Sequence, residues 1–258
     1  MKVHVAGVGL VMPGVESWQQ AKQVFSHPDG YDVSAPLPPI AKTNLLSANE
    51  RRRTTRLIQM ALHCGQDAVQ GWQGKPATVF ALSCGDLGTV DKILQALTLP
   101  GHPISSTQFH NSVHNASAGY WSILTGSNSP STSISAWDAS FSAGLLEAAT
   151  QVMTDHQQVL LVACDYPPPA RLTKKRQIKA PFSVALLLMR EGPGPSLTIA
   201  LNPSGKENKL TDLPLESLRL ANPAARSLPL MQLLASREHG EVNLSYLNNQ
   251  LLNILVRP

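Results

Sequence analysis

Apolar residues along the chain fall into two patterns, short unbroken runs and longer stretches with helical spacing. The runs at Val3–Val11, Ala77–Ser83 (ATVFALS), Val159–Ala163 (VLLVA) and Val184–Met189 (VALLLM) predict buried strands. Ser131–Ala136 (STSISA) alternates and reads as another strand, and further strands are expected at Leu197–Leu201 and near Leu251–Val256. A helix is predicted from Ser47, where Ser47 and Glu50 have capping-box spacing and Leu57, Met60, Ala61, Cys64 and Val69 fall near one face. Other helices are expected at Asp91–Leu97, at His110–Leu124 with its closely spaced small residues, at Ser140–Met153, which is apolar all round, and near Leu228–Ser236. Residues 24–50 hold Pro28, Asp29, Gly30, Pro36, Pro38 and Pro39 and predict a long loop. A second loop carries Pro167–Pro169 and the basic run Arg171, Lys174, Lys175, Arg176 and Lys179. Strands alternating with helices predict a mainly parallel α/β sheet.

Composition narrows the class. With 258 residues, 43% apolar and 15% charged, the chain has material for one substantial core or two small ones, which excludes disorder as its main state. Cys64, Cys84 and Cys164 form no CxxC pair, so neither a disulfide framework nor a cysteine zinc site is expected, and a reducing compartment fits. No apolar run approaches the ~20 residues that cross a bilayer, and the N-terminal segment lacks a signal-peptide pattern, so a cytoplasmic protein is expected. The net charge of +4 and pI of 9.1 suit an acidic partner, whereas 5% aromatics leave little for a nucleic-acid stacking platform.

Most candidate motifs have a plain reading. AGVGLVMPG places its third glycine at Gly14 and a proline where a helix should start, so it is no dinucleotide loop. His110 and His114 have the i, i+4 spacing of helical metal ligands, but without a glutamate after the first histidine or an evident third ligand, no metal or cofactor is expected. Cys84 and Cys164 close apolar strands and read as small buried hydrophobes. Arg51, Arg52, Arg53 and Arg56 lie at a predicted helix start, where the macrodipole disfavours cations, which suggests pairing with an external anion.

The segment from Asn115 to Ala148, NASAGYWSILTGSNSPSTSISAWDASFSAGLLEAA, resembles the nucleophile region of β-ketoacyl synthases of the thiolase superfamily. There an N-x-x-A-G helix is followed by a strand, the catalytic cysteine and a small-residue helix. VAGVGLVMPG, the arginine-rich helix start, the strand ending in SCGD and VALLLMREG extend the resemblance over residues 1–192. The implied fold is α/β, a truncated thiolase-like fold with one full βαβαβ half at 1–192 and a short remnant of the second half at 193–258. Counting from Pro130 and from Glu147-Ala148 places Asp138 at the nucleophile position, with Ser140 there after a small slip.

An aspartate there would have to form a labile mixed anhydride in place of a thioester. It is also a favoured helix N-cap. The family's two histidine segments, HGTGT-like and GGHN-like, have no match after residue 192, where His239 is the only histidine. The resemblance thus implies a non-catalytic, chain-length-factor-like subunit that dimerises with an active β-ketoacyl synthase and shapes its acyl tunnel, as in bacterial aryl polyene, polyketide or fatty-acid-type synthesis. Its expected interface is the helix around Asn115–Gly119 and the strand Ser131–Ala136, with Phe109, His110, His114, Tyr120, Trp121 and Trp137 at the tunnel. Two alternatives remain: a residual thioesterase or malonyl decarboxylase using Asp138 with His110 or His114 as base, and an acyl carrier protein-binding scaffold. The scaffold would use Arg51–Arg56 or the run Arg171, Lys174, Lys175 and Arg176. Homodimer and heterodimer are equally compatible with the sequence.

Overall fold

In the computed structural model, which describes residues 1–40, 46–154, 158–202 and 205–258, the strand-forming runs join one eight-stranded sheet. The strands are β1 (Lys2–Val11), β2 (Ala77–Ala81), β3 (Ser131–Ile134), β4 (Gln158–Asp165), β5 (Phe182–Met189), β6 (Ser196–Asn202), β7 (Gly240–Ser245) and β8 (Leu251–Arg257). Their order is β3-β2-β4-β5-β1-β6-β8-β7. Among the described residues only β2 pairs in parallel, with β3 and β4, and the other pairings are antiparallel, which corrects the mainly parallel expectation. The cause of the misreading is physical. Residues 159–165 and 182–188 are all buried because helices cover both faces, and two-sided burial gives unbroken apolar runs whatever the strand direction.

The helices are α1 (Trp18–Ser26), α2 (Ala48–Arg53), α3 (Arg56–Ala68), α4 (Leu87–Leu97), α5 (Ser106–Asn111), α6 (Ala116–Thr125), α7 (Ser140–Thr154), α8 (Leu213–Ala221) and α9 (Leu228–Ser236). One core lies between the sheet and α7, α9 and α1; the other lies between the sheet, α3 and α6. The expected capping box at Ser47 is present, but that helix breaks at Thr54-Thr55, with Thr55 capping α3. Arg51–Arg53 therefore sit in the last turn of α2, where the macrodipole favours them, and the expected conflict with a helix start remains only for Arg56. The predicted helix from His110 to Leu124 is likewise two helices, so His110 and His114 do not share one. The helices α1 and α8 and the strand β7 are not marked by the apolar patterns. Residues 41–45 of the expected 24–50 loop lie outside the described residues.

β1 shows how the two cores are kept apart. A bulge between Val5 and Gly7 shifts the register by one residue, so Val3 and Val5 before it and Leu10 and Met12 after it all enter the α7 side. Gly7 and Gly9 then face α3. A Cβ at Gly7 would stand 1.9 Å from the Ala68 carbonyl oxygen, and one at Gly9 would stand 2.0 Å from that of Cys64, so α3 rests on bare backbone. Gly119, on the exposed side of α6, has nothing within 4 Å. Gly9→Ala is expected to destabilise by about 3 kcal/mol through overpacking. Gly119→Ala should instead stabilise by about 0.5–1 kcal/mol through helix propensity. Urea unfolding of both variants checks the contrast.

Candidate functional site

Between β3 and α7 the chain turns sharply, and this turn carries the position matched to the nucleophile. Trp137 adopts φ +53°, a left-handed conformation that is costly for a large side chain, and begins a short 3-10 turn that runs into α7. Ser140 fixes the turn: its Oγ accepts from the Ala136 amide at 3.0 Å and donates to the Trp137 carbonyl at 2.7 Å. Asp138 does not act as the expected helix cap. Its half-exposed carboxylate accepts from Arg176 Nη1 at 2.6 Å and lies 4.0 Å from Arg226 Nη2. The Arg176 guanidinium also lies over the Trp137 ring, 4.0 Å from its centroid.

Arg176 thereby leaves the expected basic docking patch. It is buried, whereas Arg171, Lys174 and Lys175 stay exposed. Behind it lies Asp165, at the end of β4 and fully buried, whose Oδ1 accepts from the Ser83 amide at 2.9 Å and the Ser83 hydroxyl at 2.6 Å. Burial pushes the Asp165 carboxyl up to about 7, against the opposing pull of the Ser83 hydrogen bonds and the Arg176 charge. Burial also raises the half-buried Cys84 thiol, opposed by Ser83 and Arg176, and it raises the fully buried Cys64 and Cys164 thiols. Asn222 stitches this region to the segment before α9: its Nδ2 donates to the Asp165 and Ala180 carbonyls at 2.9 and 2.8 Å.

The other expected site residues separate into three places. His114 Nε2 lies 3.1 Å from the Leu82 carbonyl, and His110 meets Tyr120 edge-on at 5.7 Å. Among the described residues neither histidine hydrogen-bonds Asp138, and no cluster suited to a metal is present. Trp121, expected at a tunnel, is a core residue packed against Gly65. Phe109 and Trp137 are exposed, as are Asn115 and Gly119, while Tyr120 is half-buried and donates to Asn111 Oδ1 at 3.2 Å. Arg52, Arg53 and Arg56 converge with Lys92 on a cleft of about 700 Å³ whose lining also includes Asp86, Gln108 and Tyr166. No helix of the described residues is long and apolar enough to cross a membrane.

The sequence reading missed Asp165, Ser83, Asn222 and Arg226. Asp165 left a trace, a carboxylate closing an otherwise apolar run, but Arg226 gave none. Asp165 sets a pH signature. Its carboxyl is more easily protonated folded than unfolded, so the folded state binds the extra proton between about pH 4 and 7, and its contribution to stability falls as pH rises through that window. Asp165→Asn should flatten the fall, read as a smaller decrease in Tm from about pH 4 to 7 than in the unaltered protein.

The fold has solved relatives. A structure described as a ketosynthase (ApeO) in complex with its chain length factor (ApeC), from Xenorhabdus doucetiae, is similar at 25% identity with TM-score 0.78, over 99% of this chain and 99% of that one. The ishigamide ketosynthase/chain length factor matches at 12% identity with TM-score 0.72, again over 99% of both chains. AntDE:AntF, a type II PKS acyl-carrier protein in complex with its ketosynthase bound to the hexaketide, matches at 12% identity with TM-score 0.77, also over 99% of both. These two show the fold alone. No curated protein sequence matches the chain. The model of the β-ketoacyl synthase N-terminal domain matches residues 16–248, and the chain therefore belongs to that family.

Proposed function

We propose that the chain is a non-catalytic, chain-length-factor-like subunit that pairs with an active β-ketoacyl synthase and shapes its acyl tunnel. The observation that carries this reading is the exposed apolar side chains near the turn between β3 and α7, the elbow at Trp137–Ala139. Of the 13 large apolar side chains exposed among the described residues, eight fall within residues 94–137: Leu94, Leu97, Leu99, Ile104, Phe109, Val113, Ile123 and Trp137. They lie on and around α4, α5 and α6 and in the turn after β3, and α6 packs against β3. β3 is an outer strand of the sheet, with one side of its ladder unpaired among the described residues. Exposed apolar side chains beside a bare strand edge, Ile123 on α6 and Trp137 in the turn after β3, suit a protein partner that continues the sheet.

Asp138 supports the non-catalytic part. A carboxylate held by a guanidinium is a poor nucleophile, and its acyl product would be a labile anhydride. The relative at 25% identity is described as an assembly of a ketosynthase with its chain length factor, which agrees with the pairing. In this reading Phe109, His110, His114, Tyr120 and Trp137 would meet the partner's tunnel, and aryl polyene or related polyketide synthesis in the cytoplasm is the setting that fits. Co-expression with a synthase from the same gene cluster should give a stable complex. The double variant Phe109→Asp/Ile123→Asp should weaken it about 100-fold while leaving monomer stability within about 0.5 kcal/mol. Separate monomers, and product length unchanged when this chain is omitted, would reject the reading.

The basic cleft favours a second role, docking of an acidic acyl carrier protein at Arg52, Arg53, Arg56 and Lys92. Carrier binding should then weaken steeply between roughly 0.05 and 0.3 M salt, and Arg52→Glu/Arg56→Glu should abolish it. Salt-independent binding would exclude the cleft.

A further inference from the structure

A second, smaller cavity of about 220 Å³ opens beside the elbow, lined by Asp138, Arg176, Lys179, Asn222 and Arg226 among others. We propose that it binds a small oxyanion, carboxylate or phosphate, through Arg176, Lys179 and Arg226, and that Asp138 acts as an internal competitor for that place. The inference does not depend on the pairing with a synthase.

Three cations and a single carboxylate line the cavity. Nearby Glu207 lies 3.8 Å from Arg226 but is engaged at 2.7 Å by Arg219, which also binds Glu216. The lining therefore keeps an excess of positive charge. Arg176 is the informative member. It is 7% exposed, with Nη1 bonded to Asp138; Nε and Nη2 are buried without a hydrogen bond of ordinary geometry, and the Asp165 carboxyl and the Cys84 thiol lie near enough to interact with the guanidinium. Asp165 Oδ2, behind it, is also unpartnered. A buried guanidinium normally satisfies its planar fork with two parallel bonds to an oxyanion, and leaving donors unmade in the interior is costly. Asp138 supplies one close contact, to Arg176 Nη1, and only a loose 4.0 Å approach to Arg226. Its carboxylate is half-exposed, so a ligand oxyanion that displaced it toward solvent would take its place between Arg176 and Arg226. Lys179, exposed on the rim, adds a third charge.

The Trp137 ring over Arg176 provides a local reporter, because an anion reaching that guanidinium shifts the indole N–H resonance. The experiment titrates inorganic phosphate and, separately, acetate at constant ionic strength into ¹⁵N-labelled protein, with Trp137→Phe used to assign the signal. Saturable shifts are expected with at least one of the two, and the arm that saturates at lower concentration identifies the preferred oxyanion geometry. Asp138→Asn removes the competitor and should tighten binding about three- to tenfold, whereas Arg226→Gln and Lys179→Gln should weaken it by a similar factor. All three side chains are partly exposed, so folded variants are expected, and far-UV circular dichroism verifies this. A linear, non-saturating response to both anions overturns the proposal. So does an Asp138→Asn variant that binds no more tightly than the unaltered protein, or binding that survives Arg226→Gln and Lys179→Gln unchanged.

Discussion

Two-sided burial of the sheet's centre is the constraint on which the rest of the structure rests. β4 and β5 have no solvent face, so helices must cover both sides at a fixed distance, and each layer meets that demand differently. On one side α3 lies against β1 where Gly7 and Gly9 remove the side chains. On the other, Gly144 brings α7 down: a Cβ there would stand 2.7 Å from that of Ala81. Interiors at crystalline density leave little slack for such contacts, so these glycines set the spacing of the layers. Beyond β1 the constraint relaxes. β6, β8 and β7 send Leu197, Ile199, Val242, Leu244, Leu252, Ile254 and Val256 into the core on the α9 side, and their opposite face is less buried.

The same packing builds the elbow. Because β2, β4 and β3 lie side by side, the ends of β2 and β4 bring Ser83 and Asp165 together beneath the turn that follows β3. The long connection between the antiparallel strands β4 and β5 then folds back over this end and delivers Arg176 to Asp138. Asp138, which the sequence resemblance alone aligns with a nucleophile, is thus one half of an ion pair. Its geometry is kept by a strained Trp137, the Ser140 hydroxyl and a stacked guanidinium. The strain persists because those contacts jointly determine it.

Much of the fold was readable because its signals are local. Helix α9 and the capping box at Ser47 follow from residues within a few positions of one another, and so does the deep burial of α7. Strand existence was equally legible, since β-branched and apolar runs need no knowledge of their neighbours. Where a local signal was weak the reading failed. Thr54-Thr55 broke one predicted helix, and residues 112–115 broke another. β7 went unseen because a strand with one buried face shows only Val242 and Leu244 as a pattern.

By itself the sequence determined most of the strand and helix segments and the resemblance to the β-ketoacyl synthases that the family match bears out. Only the tertiary structure decided that most strands run antiparallel, that Trp121 is core while Phe109 and Ile123 face outward, and that one arginine of a basic loop is buried against Asp138. The reason is range. Periodicity and capping act over a few residues, whereas Arg176 and Asp138 are 38 residues apart and Ser83 and Asp165 are 82 apart, brought together only when the sheet has formed.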